Sequence, residues 1–185
     1  MKAIILKGMF AVAIAVLALT GSLRAQDQDG CTNSTLRGDY AFTVSGKLFL
    51  PNGTTIEREG VAMTHFDGAG NLSQVDFVLS SPNAAPPPGP APVDPVTGFH
   101  NQETGSYSVN ADCTGHFEID NPPIITATGQ VVKGAVIHVQ FVLSNHGRAI
   151  HTIVTSLTPP GAPGPVPALI RSEGHKLGKV TEDVY

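Results

Sequence analysis

Residues 135–157 read AVIHVQFVLSNHGRAIHTIVTSL, and their pattern decides the fold. Two runs, 135–143 and 148–157, alternate side-chain character on either side of Asn145-His146-Gly147. A period of two sends successive side chains to opposite faces of a strand. A two-residue turn at His146-Gly147 would join the runs as an antiparallel hairpin and set Leu143 opposite Ile150. One face then holds Ile137, Val139, Phe141, Leu143, Ile150 and Val154. The other holds His138, Gln140, His151 and Thr155, together with Val142 and Ile153.

The same pattern repeats outward from this hairpin. Tyr40, Phe42 and Val44 alternate with Ala41, Thr43 and Ser45. Pro51-Asn52-Gly53 is a turn signal, and residues 55–66 read as the next strand. Asp67-Gly68-Ala69-Gly70-Asn71 turns the chain again, with glycines suited to positive φ. Val75, Phe77 and Leu79 mark a third strand that pairs back as a hairpin. Residues 99–109, 116–120 and 124–132 read as three more strands, and 168–171 as a short closing one. Two proline-rich segments, 81–98 and 159–167, lack amide donors at many positions and read as surface loops. About eight antiparallel strands with short connections define an all-β domain, an up-and-down barrel or a sandwich. A closed barrel removes the exposed edges that invite aggregation.

The N-terminus carries a separate message. Lys2 and Lys7 flank an apolar run from Met9 to Leu19, followed by small residues up to Ala25. That is the pattern of a secretory signal peptide, too short for a dependable membrane span. The expected organisation is a signal at 1–25, a single barrel domain at 26–172 and a polar tail at 173–185. The protein is expected to be secreted or periplasmic. Without the signal, 8 of the 11 basic residues remain against 15 acidic ones, a net charge of −7. An acidic chain with no basic cluster is a poor match for nucleic acid or for an anionic membrane surface. The two cysteines, Cys31 and Cys113, are most simply a disulfide in an oxidising compartment.

Four segments carry a family resemblance. Residues 31–42 (CTNSTLRGDYAF), 65–71 (HFDGAGN), 105–115 (GSYSVNADCTG) and 141–145 (FVLSN) resemble signatures of a group of secreted bacterial proteins. That group resembles in turn the allene-oxide-cyclase-like barrels, relatives of the calycin and dirigent barrels. The resemblance implies an eight-stranded antiparallel barrel with a central cavity. It implies no activity here, because the cyclases' catalytic residues do not map onto this chain. Related barrels often assemble, so an oligomer is allowed by analogy alone.

A barrel of eight strands holds packed side chains or one small ligand. Alternation in the fourth strand puts Phe99, Asn101, Glu103, Tyr107 and Val109 on one face. A Glu103 carboxyl facing an apolar lumen would have a raised pKa and could act as acid or base, with Tyr107 orienting a substrate oxygen. The alternative is a Glu103 at a wet rim or on the outside of a bent strand. Asn101, Phe99, Tyr40 and Phe42 are the expected ligand contacts. His138, Gln140 and His151 share a face but lack a third ligand at metal spacing, so a solvated outer face is expected and no metal or cofactor. His65, Asp67 and Ser73 lack the setting of a nucleophile elbow. The leading expectation is a barrel binding a small apolar molecule. Its rivals are an isomerase or cyclase built on Glu103, and a structural protein with a filled barrel.

Overall fold

The computed structural model describes residues 30–81, 93–126 and 128–178. The signal segment, most of the first proline-rich loop and the last residues of the tail lie outside the described residues. The long strands are β1 (Arg37–Phe49), β2 (Thr55–Asp67), β3 (Asn71–Ser81), β4 (His100–Val109) and β5 (Thr114–Asp120). Two short pieces follow, β6 (Ile124–Ile125) and β7 (Val131–Val132), then β8 (Val136–Ser144), β9 (Ala149–Thr158) and β10 (Ala168–Lys176). Eight of these close a barrel in the order β1-β10-β9-β8-β5-β4-β3-β2, every neighbour antiparallel.

The 135–157 hairpin forms in the expected register, with Leu143 opposite Ile150 and Val142 opposite His151. His146 and Gly147 have φ of +54° and +74°, the sign pattern of a type I′ turn. The Asp67 turn sets its own hairpin. One Asp67 oxygen accepts the backbone N–H groups of Ala69, Gly70 and Asn71 at 2.7, 2.9 and 3.0 Å. The Asn71 side-chain amide, which donates to the other oxygen at 2.6 Å, and then these backbone donors hold its carboxyl well below the usual carboxylate range. The turn fixes Phe66 opposite Leu72.

Two expectations change. The strand read at 124–132 is no barrel stave: β6 and β7 form a separate two-stranded sheet, while β5 pairs directly with β8. The prolines at 122 and 123 and the turn near Gly129 break the run into two pieces too short to span the barrel. The closing strand is longer than the 168–171 run. Glu173 to Lys176 pair with β1, so the first part of the expected tail is barrel wall. In β3 the apolar series Val75, Phe77 and Leu79 lies on the outside. With Phe66 buried inside, its partner Leu72 must also face in, and the period of two carries Gln74, Asp76 and Val78 inward.

The interior is filled unevenly along its axis. At the end holding the 67–71, 109–114 and 144–149 turns, Leu36, Tyr40, Phe66, Tyr107, Phe117 and Ile150 form a solid floor. Phe66 meets Tyr40 and Tyr107 edge to face, at centroid distances of 5.5 and 5.1 Å. A short 3₁₀ turn at Asn33–Thr35 leads into Leu36, which is fully buried. The Cys31–Cys113 disulfide joins this lead-in to the β4–β5 turn, with Cα atoms 4.9 Å apart.

Candidate functional site

Above the floor the barrel is open. A cavity of about 290 Å³ runs from Phe42 and Phe117 to a rim that includes Pro159 and Pro160. Its wall is mainly apolar, with Val44, Ile137, Val139, Val154 and Ile170 from four strands. The wholly filled barrel, one of the sequence alternatives, is therefore not the arrangement seen. The proline-rich segment at 159–167 contributes to the mouth rather than lying clear of it.

One side of the cavity is polar, and it is built by β2, β3 and β4. Arg58, Gln74, Asp76 and His100 all line it. Asp76 Oδ1 lies 2.8 Å from His100 Nδ1, and both side chains are mostly buried. Burial raises the Asp76 carboxyl above its ordinary range, against the opposing pull of His100 and Arg58. Burial likewise lowers the Arg58 guanidinium, and Asp76 counteracts it. Arg58 forms no salt bridge among the described residues, and its Nε is buried without a partner.

Glu103 stands beside this group, 1% exposed. Its Oε2 accepts from Gln74 Nε2 at 2.8 Å, and its Oε1 accepts from Asn121 Nδ2. Gln74 is itself held by Thr64 Oγ1, which donates to Gln74 Oε1 at 2.7 Å. Burial first and the nearby Asp76 second push the Glu103 carboxyl up to about 8, although both amides favour the charged form. Gln74 and Asn121 line the cavity and stand between it and the carboxyl. The expected inward, desolvated Glu103 is thus present, but one amide away from the open space.

Its expected companions are elsewhere. Tyr107 is part of the floor, where its hydroxyl donates to the Leu36 carbonyl at 2.9 Å, with the Asn33 carbonyl at 3.1 Å. Tyr40 is also in the floor and donates to the Gly147 carbonyl. Burial pushes the Tyr40 hydroxyl up to about 12. Neither tyrosine lines the cavity, whereas Phe42 does. Phe99 and Asn101 are displaced by a bulge. Asp76 pairs with His100 but Gln74 with Glu103, so β4 has one residue more than β3 between them. Gln102 absorbs it with φ of +64°. The extra residue reverses the alternation, so His100 faces the cavity in place of Asn101. Phe99 packs on Phe77 at 5.8 Å instead. Asn101 Oδ1 is buried without a partner.

The remaining candidates are on the outer surface. His138 and His151 are exposed; His138 pairs with Glu118 at 3.0 Å, and His151 lies 3.2 Å from Ser144 Oγ. His65 faces Asp39 at 2.7 Å and makes no link to Asp67 or Ser73 of the kind a triad requires.

Sequence reasoning missed Arg58, Asp76, His100, Gln74 and Asn121. The signal for the β2 and β3 members was present. Counting in twos from Phe66 reaches Arg58, and counting from its turn partner Leu72 reaches Gln74 and Asp76. His100 lies beyond a bulge that no periodicity announces.

Fold and site together define a closed eight-stranded antiparallel barrel with a half-filled lumen and a polar strip on one wall. No family model and no curated protein matches the chain. Among solved structures it is similar to Rv2717c from M. tuberculosis, with 12% identity and a TM-score of 0.36, over 78% of this chain and 94% of that one. The barrel assignment stands on the strand pairing itself. Among the described residues no helix is long and apolar enough to cross a membrane.

Proposed function

We propose that this is a secreted or periplasmic protein that binds a small, mainly apolar molecule in the barrel lumen. The observation that carries the reading is the cavity of about 290 Å³, walled by Val, Ile and Phe side chains and open past Pro159 and Pro160. Small-molecule sites are concave, mostly apolar, and carry a few placed polar groups. The disulfide supports an oxidising compartment. Fluorescence titration with the neutral dye N-phenyl-1-naphthylamine tests the reading. One dye should bind per chain, and Val154→Phe, which projects a ring into the lumen where the dye would lie, should abolish binding. An absent signal, or equal binding to the obstructed variant, would refute it.

A second reading is favoured by Glu103 alone: an isomerase or cyclase of the allene-oxide-cyclase type. A carboxyl pushed up to about 8 keeps its proton near neutrality and could protonate a strained oxygen. Gln74 and Asn121 would have to swing aside for the Glu103 proton to reach the epoxide oxygen as a ring C–O bond opens, and the carboxylate would take the proton back as the new carbon–carbon bond closes the ring. With an unsaturated fatty-acid epoxide as substrate, Glu103→Gln should abolish turnover and leave affinity nearly intact. Undiminished turnover in that variant removes the reading.

A further inference from the structure

We propose that the lumen ligand ends in a single anionic group, a carboxylate or sulfonate, seated against Arg58, with its apolar body against Val44, Val139, Val154 and Ile170. The proposal rests on the lumen-binding reading above and adds the chemistry of the ligand's polar end.

Arg58 sits toward the mouth end of the inward series of β2, opposite Gly46 of β1 and Ser80 of β3. That places it in the mouth half of the barrel, four residue pairs nearer the opening than Asp76, which is opposite Ala62. A guanidinium does not give up its proton in a protein, so this is a fixed positive charge. Buried cations are ordinarily paired. Here none of the nearby acids supplies the partner. Asp76 is engaged by His100 at 2.8 Å and forms no ion pair with Arg58 within 4 Å. Glu103 is held by Gln74 and Asn121 and forms no ion pair with Arg58 among the described residues. Among the described residues the Nε donor of Arg58 is buried and unpartnered, beside an open apolar space.

An anion in the cavity supplies what the wall lacks. Carboxylates and sulfonates present two oxygens to the planar fork of an arginine, and such charge-assisted pairs are roughly twice as strong as neutral hydrogen bonds. The mouth position lets the head remain near Arg58 while the apolar body extends down to Phe42 and Phe117. Asp76 opposes a second negative charge deeper in the lumen, which limits the ligand to one anionic end directed at Arg58.

Two dyes with the same body separate this proposal from the reading beneath it. N-phenyl-1-naphthylamine is neutral, and 1-anilinonaphthalene-8-sulfonate carries one sulfonate on the same rings. Both are titrated by fluorescence against the wild-type protein, Arg58→Met, Arg58→Lys and the lumen-obstructed Val154→Phe. The sulfonate should bind the wild type about tenfold more tightly than the neutral dye. Arg58→Met should erase that preference, with the sulfonate's affinity falling to that of the neutral dye in the same variant. Arg58→Lys keeps the charge without the fork, so it should keep part of the preference. Val154→Phe should remove both dyes. Equal affinity of the two dyes for the wild type overturns the anionic-head proposal and leaves lumen binding standing. A preference that survives in Arg58→Met, or in Val154→Phe, overturns it too, because the sulfonate is then held elsewhere. Binding of neither dye overturns both.

Discussion

Gln74 stands directly opposite Glu103 across the β3–β4 pair and donates its side-chain amide to Glu103 Oε2 at 2.8 Å. A buried carboxyl is therefore fixed between two amides, since Asn121 donates to its other oxygen. Each amide offers a donor and an acceptor, so the pair can satisfy either protonation state of Glu103. The same wall also holds Asp76 and His100, and together these groups make one side of an apolar barrel polar.

Stability should fall as pH rises through the range set by Glu103. Its pKa moves from an ordinary 4.5 up to about 8 in the fold. Below 4.5 the group is protonated in both states and its contribution is complete. Between these values the folded chain holds a proton that the unfolded chain has lost, so unfolding becomes easier with each step up in pH. Above about 8 the contribution is gone. The slope approaches ~1.4 kcal/mol per pH unit for one proton. Asp76, also raised by burial, adds in the same direction. Urea unfolding from pH 4.5 to 8.5 should show a shallower decline in Glu103→Gln than in the wild type. Parallel curves would mean that Glu103 ionises in the fold much as it does in the open chain.

Tyr107→Phe separates the floor from the site. The hydroxyl donates to the buried Leu36 carbonyl, so its removal should cost about 1–2 kcal/mol. Tyr107 does not line the cavity, so binding of N-phenyl-1-naphthylamine should be unchanged. Loss of dye binding without loss of stability would return Tyr107 to the role that the sequence suggested for it.

The fold was more legible than the site, for a physical reason. Strand alternation and turn chemistry are local, and the 135–157 hairpin has the register that its own residues specify. The direction in which a strand faces is not local. In β3 the more apolar series, Val75, Phe77 and Leu79, faces out, while Gln74 and Asp76 face in. Only the Asp67 turn, which binds Phe66 to Leu72, determines that choice. Glu103 was legible because it lies on the Tyr107 side of the bulge, where alternation still holds. Phe99 and Asn101 lie beyond Gln102, where it has reversed. Asn121 belongs to no strand, so periodicity has nothing to say about it.

Reducing the disulfide should loosen the floor before the mouth. Cys31 and Cys113 are 82 residues apart, and closing a loop of that size contributes about 4 kcal/mol on a chain-entropy view. The bond also anchors the segment that delivers Leu36 to the base of the barrel. A Cys31→Ser/Cys113→Ser variant should unfold at lower urea by that order and show earlier amide exchange at Leu36 and Tyr40 than at Val154. Uniform exchange along the barrel, or two free thiols by mass spectrometry of the purified protein, would contradict this.

Gly105 is where β4 and β5 lie closest around the carboxyl. It sits opposite Ile119, two residues from Glu103, and a Cβ there would come 1.8 Å from the Glu118 carbonyl oxygen. That oxygen is backbone, so no rotamer change relieves the contact, and the strands must part. Gly105→Ala should cost about 3 kcal/mol or more, the range of severe steric insertions. Gly53 provides the control. Its φ is +83° and nothing lies within 4 Å of an added Cβ, so Gly53→Ala bears only the left-handed backbone cost of about 1–2 kcal/mol. Parting β4 from β5 would also shift Glu103 away from Asn121. Gly105→Ala should therefore weaken the pH dependence of stability as well as its magnitude, whereas Gly53→Ala should leave the slope intact. Equal losses in the two variants, or an unchanged slope in Gly105→Ala, would show that the β4–β5 contact does not position the carboxyl.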